Sequence, residues 1–239
     1  MKKLLPLITL SFVCLAGCQP VADCSCPNPS APEVAPAAEG SCPSAPQAAP
    51  EPVQVTKTAI DSSAAEIALP KPLPAKATLT ESLQKRRSIR EYTDEMISLE
   101  QLSALLWSAY GVNREDGKRT APTARNLQSV TLYVLFEKGA YKYDHAAHKL
   151  IRVAEDDLRP VKAAPVEILF TSTFEPELVR GVDAGVIAQN LALYCASEDL
   201  ATVIRMQRGE PAELQAALKL DSKDLPILNM AVGFEQPKQ

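Results

Sequence analysis

The chain has 239 residues, with 25 Lys+Arg against 29 Asp+Glu and a formal net charge of −4. That balance excludes a strongly basic nucleic-acid binder, and no nucleic-acid partner is expected. Twelve of the 20 prolines fall in residues 19–75. This sets a proline-dense segment apart from residues 76–239, whose ordinary composition suits one domain burying roughly two-thirds of its unfolded surface.

The N-terminus reads as an address. Lys2 and Lys3 precede an apolar run from Leu4 to Ala16, too short to span a bilayer as a permanent helix and of the length of a secretory h-region. Leu15-Ala16-Gly17-Cys18 then resembles the lipobox of bacterial lipoproteins. The resemblance implies cleavage after residue 17 and a lipidated Cys18. Acyl chains add ~0.8 kcal/mol per buried CH₂, so the protein would be anchored to a membrane without spanning it. Gln19, where an Asp would signal inner-membrane retention, points to the outer membrane, with the domain facing the periplasm. Residues 18–75, rich in Pro and Ala, read as a disordered tether, because such a composition cannot offset its ordering entropy. Within it, Cys24-Ser25-Cys26 lacks the usual two-residue metal spacing, and a disulfide from Cys42 to one of that pair suits an exported protein.

The domain, residues 76–239, shows its elements in order. A short helix is expected over 80–85. Ser98 with Gln101 three residues on is a capping-box pattern. Leu99, Leu102, Leu105, Leu106 and Ala109 follow at helical spacing until Gly111. Residues 130–136 read as a strand, 137–139 as a turn, and 141–143 and 149–153 as a continuing meander. Residues 165–171 make a buried strand, and 183–197 a long helix capped by Asp183. A strand over 201–205, a helix over 211–218 and a strand over 227–232 complete the pattern, which is α+β in layers. Cys195 and Trp107 fall on helices as core residues. His145-x-x-His148 reads as an exposed turn, and Glu155-Asp156-Asp157 as a solvated loop.

Two polar stretches carry chemistry. Arg86-Arg87-Ser88-Ile89-Arg90 offers three guanidiniums and a hydroxyl, a donor set matched to phosphate oxygens. Arg119-Thr120-Ala121-Pro122-Thr123-Ala124-Arg125-Asn126-Leu127-Gln128 is a polar loop between a helix and a strand. In this order, and together with the helix from Leu99 to Arg114, the hairpin Gly139-Ala140-Tyr141-Lys142-Tyr143-Asp144 and the helix Asp183-Ala184-Gly185-Val186-Ile187-Ala188-Gln189-Asn190, they resemble the FMN-dependent nitroreductase family. The compact branch that includes azoline-type dehydrogenases is the most similar.

The resemblance implies a layered fold with a central, mostly antiparallel sheet flanked by helices, and a homodimer. It implies FMN as cofactor and two-electron transfer through the flavin to or from a small organic substrate such as a nitroaromatic or a quinone. Arg86, Arg87, Ser88 and Arg90 would hold the phosphate and ribityl chain. Pro122, Thr123, Ala124, Asn126 and Gln128 would reach the flavin from the second subunit. Val203, Ile204 and Arg205 would offer backbone N–H groups to its ring, while the flavin itself carries the chemistry. Two departures stand out: Asp199 replaces a turn glycine, and Met206-Gln207 stands where a small residue is usual. They motivate the alternative of a catalytically weak flavin- or ligand-binding lipoprotein.

Overall fold

The computed structural model of the chain describes residues 57–207 and 211–237. The leader, Cys18 and the tether cysteines Cys24, Cys26 and Cys42 lie outside the described residues. Among the described residues seven strands form one sheet: β1 (Glu66–Ala68), β2 (Val130–Phe136), β3 (Gly139–Asp144), β4 (Lys149–Ala154), β5 (Val166–Ser172), β6 (Leu200–Met206) and β7 (Leu225–Phe234). Their spatial order is β1-β4-β3-β2-β5-β7-β6, and every neighbouring pair is antiparallel. Four helices accompany them: α1 (Leu79–Lys85), α2 (Leu99–Tyr110), α3 (Glu177–Ser197) and α4 (Pro211–Ala217). The α+β reading holds.

The period-two geometry of strands sorts the core into two faces. On one face Leu132, Val134 and Phe136 of β2, Ile168 and Phe170 of β5, and Met230 and Val232 of β7 pack with Leu102, Leu105 and Leu106 of α2 and Ile187 and Leu191 of α3. On the other, Tyr133, Leu135 and Leu169 meet Leu218 just beyond α4. β5 sits inside the sheet with both faces covered, which is why all seven of its residues are buried.

Capping explains two helix starts. Thr78 with Glu81, and Ser98 with Gln101, each close a reciprocal box over the first turn, satisfying orphan N–H groups at both ends of the exchange. The residue that closes α2, Gly111, is a glycine for lack of space: its φ is −73°, open to any residue, but a Cβ there would run into the Trp107 ring. Trp107 itself is half-buried and donates from Nε1 to Val112 O at 3.0 Å. Cys195 is fully buried among apolar neighbours, and burial pushes its thiol up.

Two expectations need correction. The first is Asp183, which does not cap α3. The helix starts at Glu177, and Asp183 is a buried residue inside it. The first turns carry Leu178 and Val182 on the solvent side, 78% and 57% exposed, so the core periodicity begins only where they end.

The second is the tether, which is too long at its C-terminal end. Residues 57–76 are part of the fold. β1 pairs with β4, and Ile67 and Leu69 are buried. Tyr141 donates its hydroxyl to Ala64 O at 2.7 Å, and Arg152 Nη1 donates to Ser63 O at 2.8 Å. Leu69 N–H reaches His148 O, and Ser103 Oγ donates to Pro70 O. Glu198 receives both the backbone N–H and the ammonium of Lys76, at 3.1 and 2.9 Å. Composition hid this strap, because three prolines follow a strand of only three residues.

Burying two aliphatic side chains contributes about 3–6 kcal/mol, and 1 kcal/mol shifts Tm by roughly 2–4 °C at this size. A chain beginning at residue 76 should therefore melt on the order of 10 °C or more below one beginning at residue 57. Equal melting temperatures by calorimetry would show that the strap adds nothing.

Candidate active site

After α1 the chain runs beside β6, the last strand of the sheet. Ile89 N–H donates to Thr202 O at 2.9 Å, and Tyr92 bridges to Glu235. This lays Arg90 alongside the strand. Arg90 lines a cleft of about 430 Å³ with Pro160, Val203, Ile204, Arg205, Met206 and Asn229. The structure thus brings together four of the residues expected from sequence: Arg90, Val203, Ile204 and Arg205.

Backbone geometry refines their roles. Gln207 N–H bonds to Ile227 O on β7, whereas Thr202 O accepts from Ile89 on the outer side. Antiparallel strands alternate the direction of their backbone groups, and the β6–β7 register runs without a shift. The N–H groups of Ile204 and Met206 therefore point outward on the open edge, while those of Val203 and Arg205 turn to β7. Of the three residues expected to offer backbone donors, only Ile204 has its N–H on the open edge, and Met206 shares that edge. Both side chains are exposed, at 42% and 71%.

The arginines divide by partner. Arg87 is ion-paired with Glu235, Nη2 to Oε2 at 2.6 Å. Arg86, Arg90 and Arg205 are exposed, and their guanidiniums make no hydrogen bond or ion pair among the described residues. Arg86 is the C-cap residue of α1, and Ser88 is exposed. The cleft therefore presents two free guanidiniums, Arg90 and Arg205, beside two free backbone donors. It shares Met206 with a larger, mostly apolar groove of about 750 Å³, lined also by Leu178, Val182, Leu225, Pro226 and Ile227. Asp199, in the place of a turn glycine, takes the left-handed conformation at φ 56° and pairs with Lys85 at 3.0 Å. A short polar side chain tolerates that conformation.

The loop 122–128 does not line this cleft within one chain. It is held in an unusual shape, with Arg125, Asn126 and Gln128 all at φ near 50°. Its supports are specific. Asp183 accepts the Ala124 N–H at 3.0 Å, Thr123 Oγ1 accepts the Gln128 N–H at 3.0 Å, and Gln128 Nε2 donates to Gly117 O at 3.1 Å. Pro122 and Asn126 are exposed. At the loop's start, buried Arg119 stacks over the Tyr110 ring at 4.2 Å.

The histidines are not an exposed turn. His148 sits between the Tyr143 hydroxyl, 2.9 Å from Nδ1, and Ser103 Oγ, 2.8 Å from Nε2. Burial holds it below the ordinary histidine range. His145 leans on the Tyr110 and Tyr143 rings, and burial and then the Arg119 charge pull it down to about 4. Among the described residues no cluster of three His, Cys, Asp or Glu could hold a metal. In the acidic loop Asp157 pairs with Arg159 and Lys162.

Sequence reasoning missed the polar residues behind the cleft. Glu167 of β5 is fully buried and accepts from Asn229 Nδ2 at 3.1 Å. Burial pushes its carboxyl up to about 7, against the opposing pull of the Val161 N–H, the Asn229 amide and the Arg205 and Arg159 charges. The signal was a single charge inside Val166-Glu167-Ile168-Leu169-Phe170 and a single amide inside Leu228-Asn229-Met230.

The nitroreductase family model matches residues 83–234, so this chain belongs to the nitroreductase family and is an oxidoreductase. A nitroreductase-family protein of Methanocaldococcus jannaschii is 30% identical over 181 residues, 65% of this chain and 90% of the relative. The FMN reductase (NAD(P)H) of Bacillus subtilis is 30% identical over 172 residues, 64% of each chain. A crystal structure of a nitroreductase-family protein from Ralstonia eutropha superposes with a TM-score of 0.70 at 31% identity, covering 77% of this chain and 96% of that one.

A carboxyl whose folded value is raised binds more protons than its unfolded counterpart, so stability falls as pH rises through the window between the two. For Glu167 that window runs from about 4.5 to about 7, with a loss on the order of 3 kcal/mol. Glu167→Gln should remove this decline, measured by denaturant unfolding at pH 5 and pH 8 beside the wild type. An unchanged slope would show that Glu167 is ionised throughout.

Proposed function

We propose that the chain is a lipid-anchored, FMN-dependent oxidoreductase that passes two electrons between FMN and a small organic substrate such as a nitroaromatic or a quinone. The observation that carries the reading is the open edge of β6: free N–H groups at Ile204 and Met206, two free guanidiniums at Arg90 and Arg205, and an adjoining apolar groove. A flavin mononucleotide has matching parts: an anionic phosphate, a polar chain and a flat apolar ring with acceptor atoms along one side. When bound, FMN supplies the centre that takes up and returns a hydride.

The chain's residues bind and tune. Arg90, with Arg86 and Ser88 nearby in sequence, holds the phosphate, and fork-shaped donors suit its oxygens. The outward N–H groups of Ile204 and Met206 donate to acceptor atoms of the ring, a placement that favours the reduced, more negative form. The apolar groove beside Met206 excludes water from the ring and admits the organic substrate. The FMN reductase of Bacillus subtilis supports the cofactor.

The working unit is a homodimer in which residues 122–128 of one copy approach the flavin of the other. Leu178, Val182 and Val186 support this as an unpartnered apolar stripe at i, i+4, i+8 on α3. The lipid on Cys18 places the domain at the periplasmic face of the outer membrane. The electron donor there is a small reductant other than cytosolic NAD(P)H.

The full chain, purified in detergent, should bind FMN near one equivalent per chain, with flavin fluorescence as the readout. The pair Arg90→Ala and Arg205→Ala should weaken binding by tenfold or more. A wild type that takes up no FMN would overturn the flavin reading.

A further inference from the structure

The cleft wall contains a residue that neither the family motifs nor the backbone geometry of β6 accounts for. Asn229 lies on β7 directly opposite Arg205 of β6. It lines the cleft, yet it is only 2% exposed. Its Nδ2 donates to Glu167 Oε1 at 3.1 Å. A primary amide held by its nitrogen presents its oxygen the other way. Asn229 Oδ1 accepts no hydrogen bond among the described residues, and it is not sealed in the interior.

A buried carboxyl in the middle of a sheet is costly. An amide could be held by a neutral acceptor at less expense. Glu167 nonetheless occupies the interior strand β5, with Oε2 lacking any partner among the described residues. It shares a sheet face with Ala231 and Val203 in one cross-strand row. Leu169, Asn229 and Arg205 form the next row, so Glu167, Asn229 and Arg205 form a polar line from the third strand of the sheet to its edge. An ionised Glu167 can only accept, so it selects one of the two amide orientations: nitrogen inward, oxygen towards the cleft.

We propose that Asn229 is a further ligand-binding residue of the cleft, its amide oxygen accepting a hydrogen bond from a ligand O–H or N–H between the Arg90 and Arg205 guanidiniums, and that Glu167 is the positioning residue that orients it. The proposal rests on the flavin reading and extends it. The site selects an anion with a donor beside it, the pattern of a phosphate joined to a polyhydroxyl chain. A bare anion satisfies the arginines alone.

The test is a double-mutant cycle on FMN affinity, read by quenching of flavin fluorescence on the full chain in detergent. Asn229→Ala should weaken FMN binding about tenfold. Glu167→Leu should weaken it to a similar degree; it removes a buried carboxyl but leaves Asn229 Nδ2 without its acceptor, so its folding is verified by thermal melting before FMN is added. Glu167→Gln keeps an acceptor oxygen for Nδ2 and should stay within about threefold of wild type. The double variant Glu167→Leu with Asn229→Ala should bind no more weakly than Asn229→Ala alone, because Glu167 acts only through Asn229. Pyrophosphate, used as a competitor without donors beside its charge, should lose less than threefold in any of these variants. Additive losses in the double variant, or unchanged FMN affinity in Asn229→Ala while wild type binds FMN, would overturn this proposal and leave the flavin reading standing. A wild type without FMN uptake would overturn both.

Discussion

The open edge of β6 is the constraint on which the site depends. A terminal strand exposes a row of unpaired N–H and C=O groups, and proteins cover such rows or put them to use. Here the segment after α1 covers the row at Thr202, where Ile89 donates. Past that point it turns away and leaves the outward groups of Ile204 and Met206 open. The same turn brings Arg90 to the strand. One backbone contact thus ends the coverage of the edge and sets a cation beside it.

Charge is arranged around that edge with some economy. Arg87 is neutralised by Glu235 at the start of the C-terminal segment, which ties the basic segment to the end of β7. Although the chain as a whole is acidic, the Arg90 and Arg205 side chains have no hydrogen-bond or ion-pair partner among the described residues, and they are the charged residues lining the cleft. Glu167 lies behind it, raised to about 7 by burial. Its Oε1 accepts from Asn229 Nδ2, and that hydrogen bond orients the amide. At a distance, the loop 119–128 is set by other buried groups, Asp183 beneath Ala124 and Arg119 on Tyr110. Because Asp183 belongs to α3, that helix both packs the main core and shapes the loop.

Much of this was legible in the residues. The capping box at Ser98 and the apolar spacing of α2 are local signals, and local signals survive translation into structure. The β2 strand and the β3–β4 meander were equally plain, since each alternates or runs apolar between turn residues. The illegible parts were those decided by tertiary partners. β1 is three residues long in a proline-rich stretch, and only pairing with β4 makes it a strand. Asp183 looked like a cap because polar residues commonly start helices, but its partner is 59 residues away in sequence. The histidines looked exposed in their turn, but Ser103, Pro70 and Tyr143 close around His148, and the Tyr110 and Tyr143 rings flank His145. At the site, Arg90 and the β6 residues were found from motif order. Asn229 and Glu167 were not, because a polar residue inside a strand has meaning only when its neighbours are known.

The measurement that most directly tests this account is a crystal structure of the protein with FMN bound. The account predicts flavin along the outer edge of β6, its phosphate against Arg90, its ring acceptors facing the N–H groups of Ile204 and Met206, and residues 122–128 of a second copy beside it. Flavin bound away from that edge, or fully enclosed by a single chain, would contradict it.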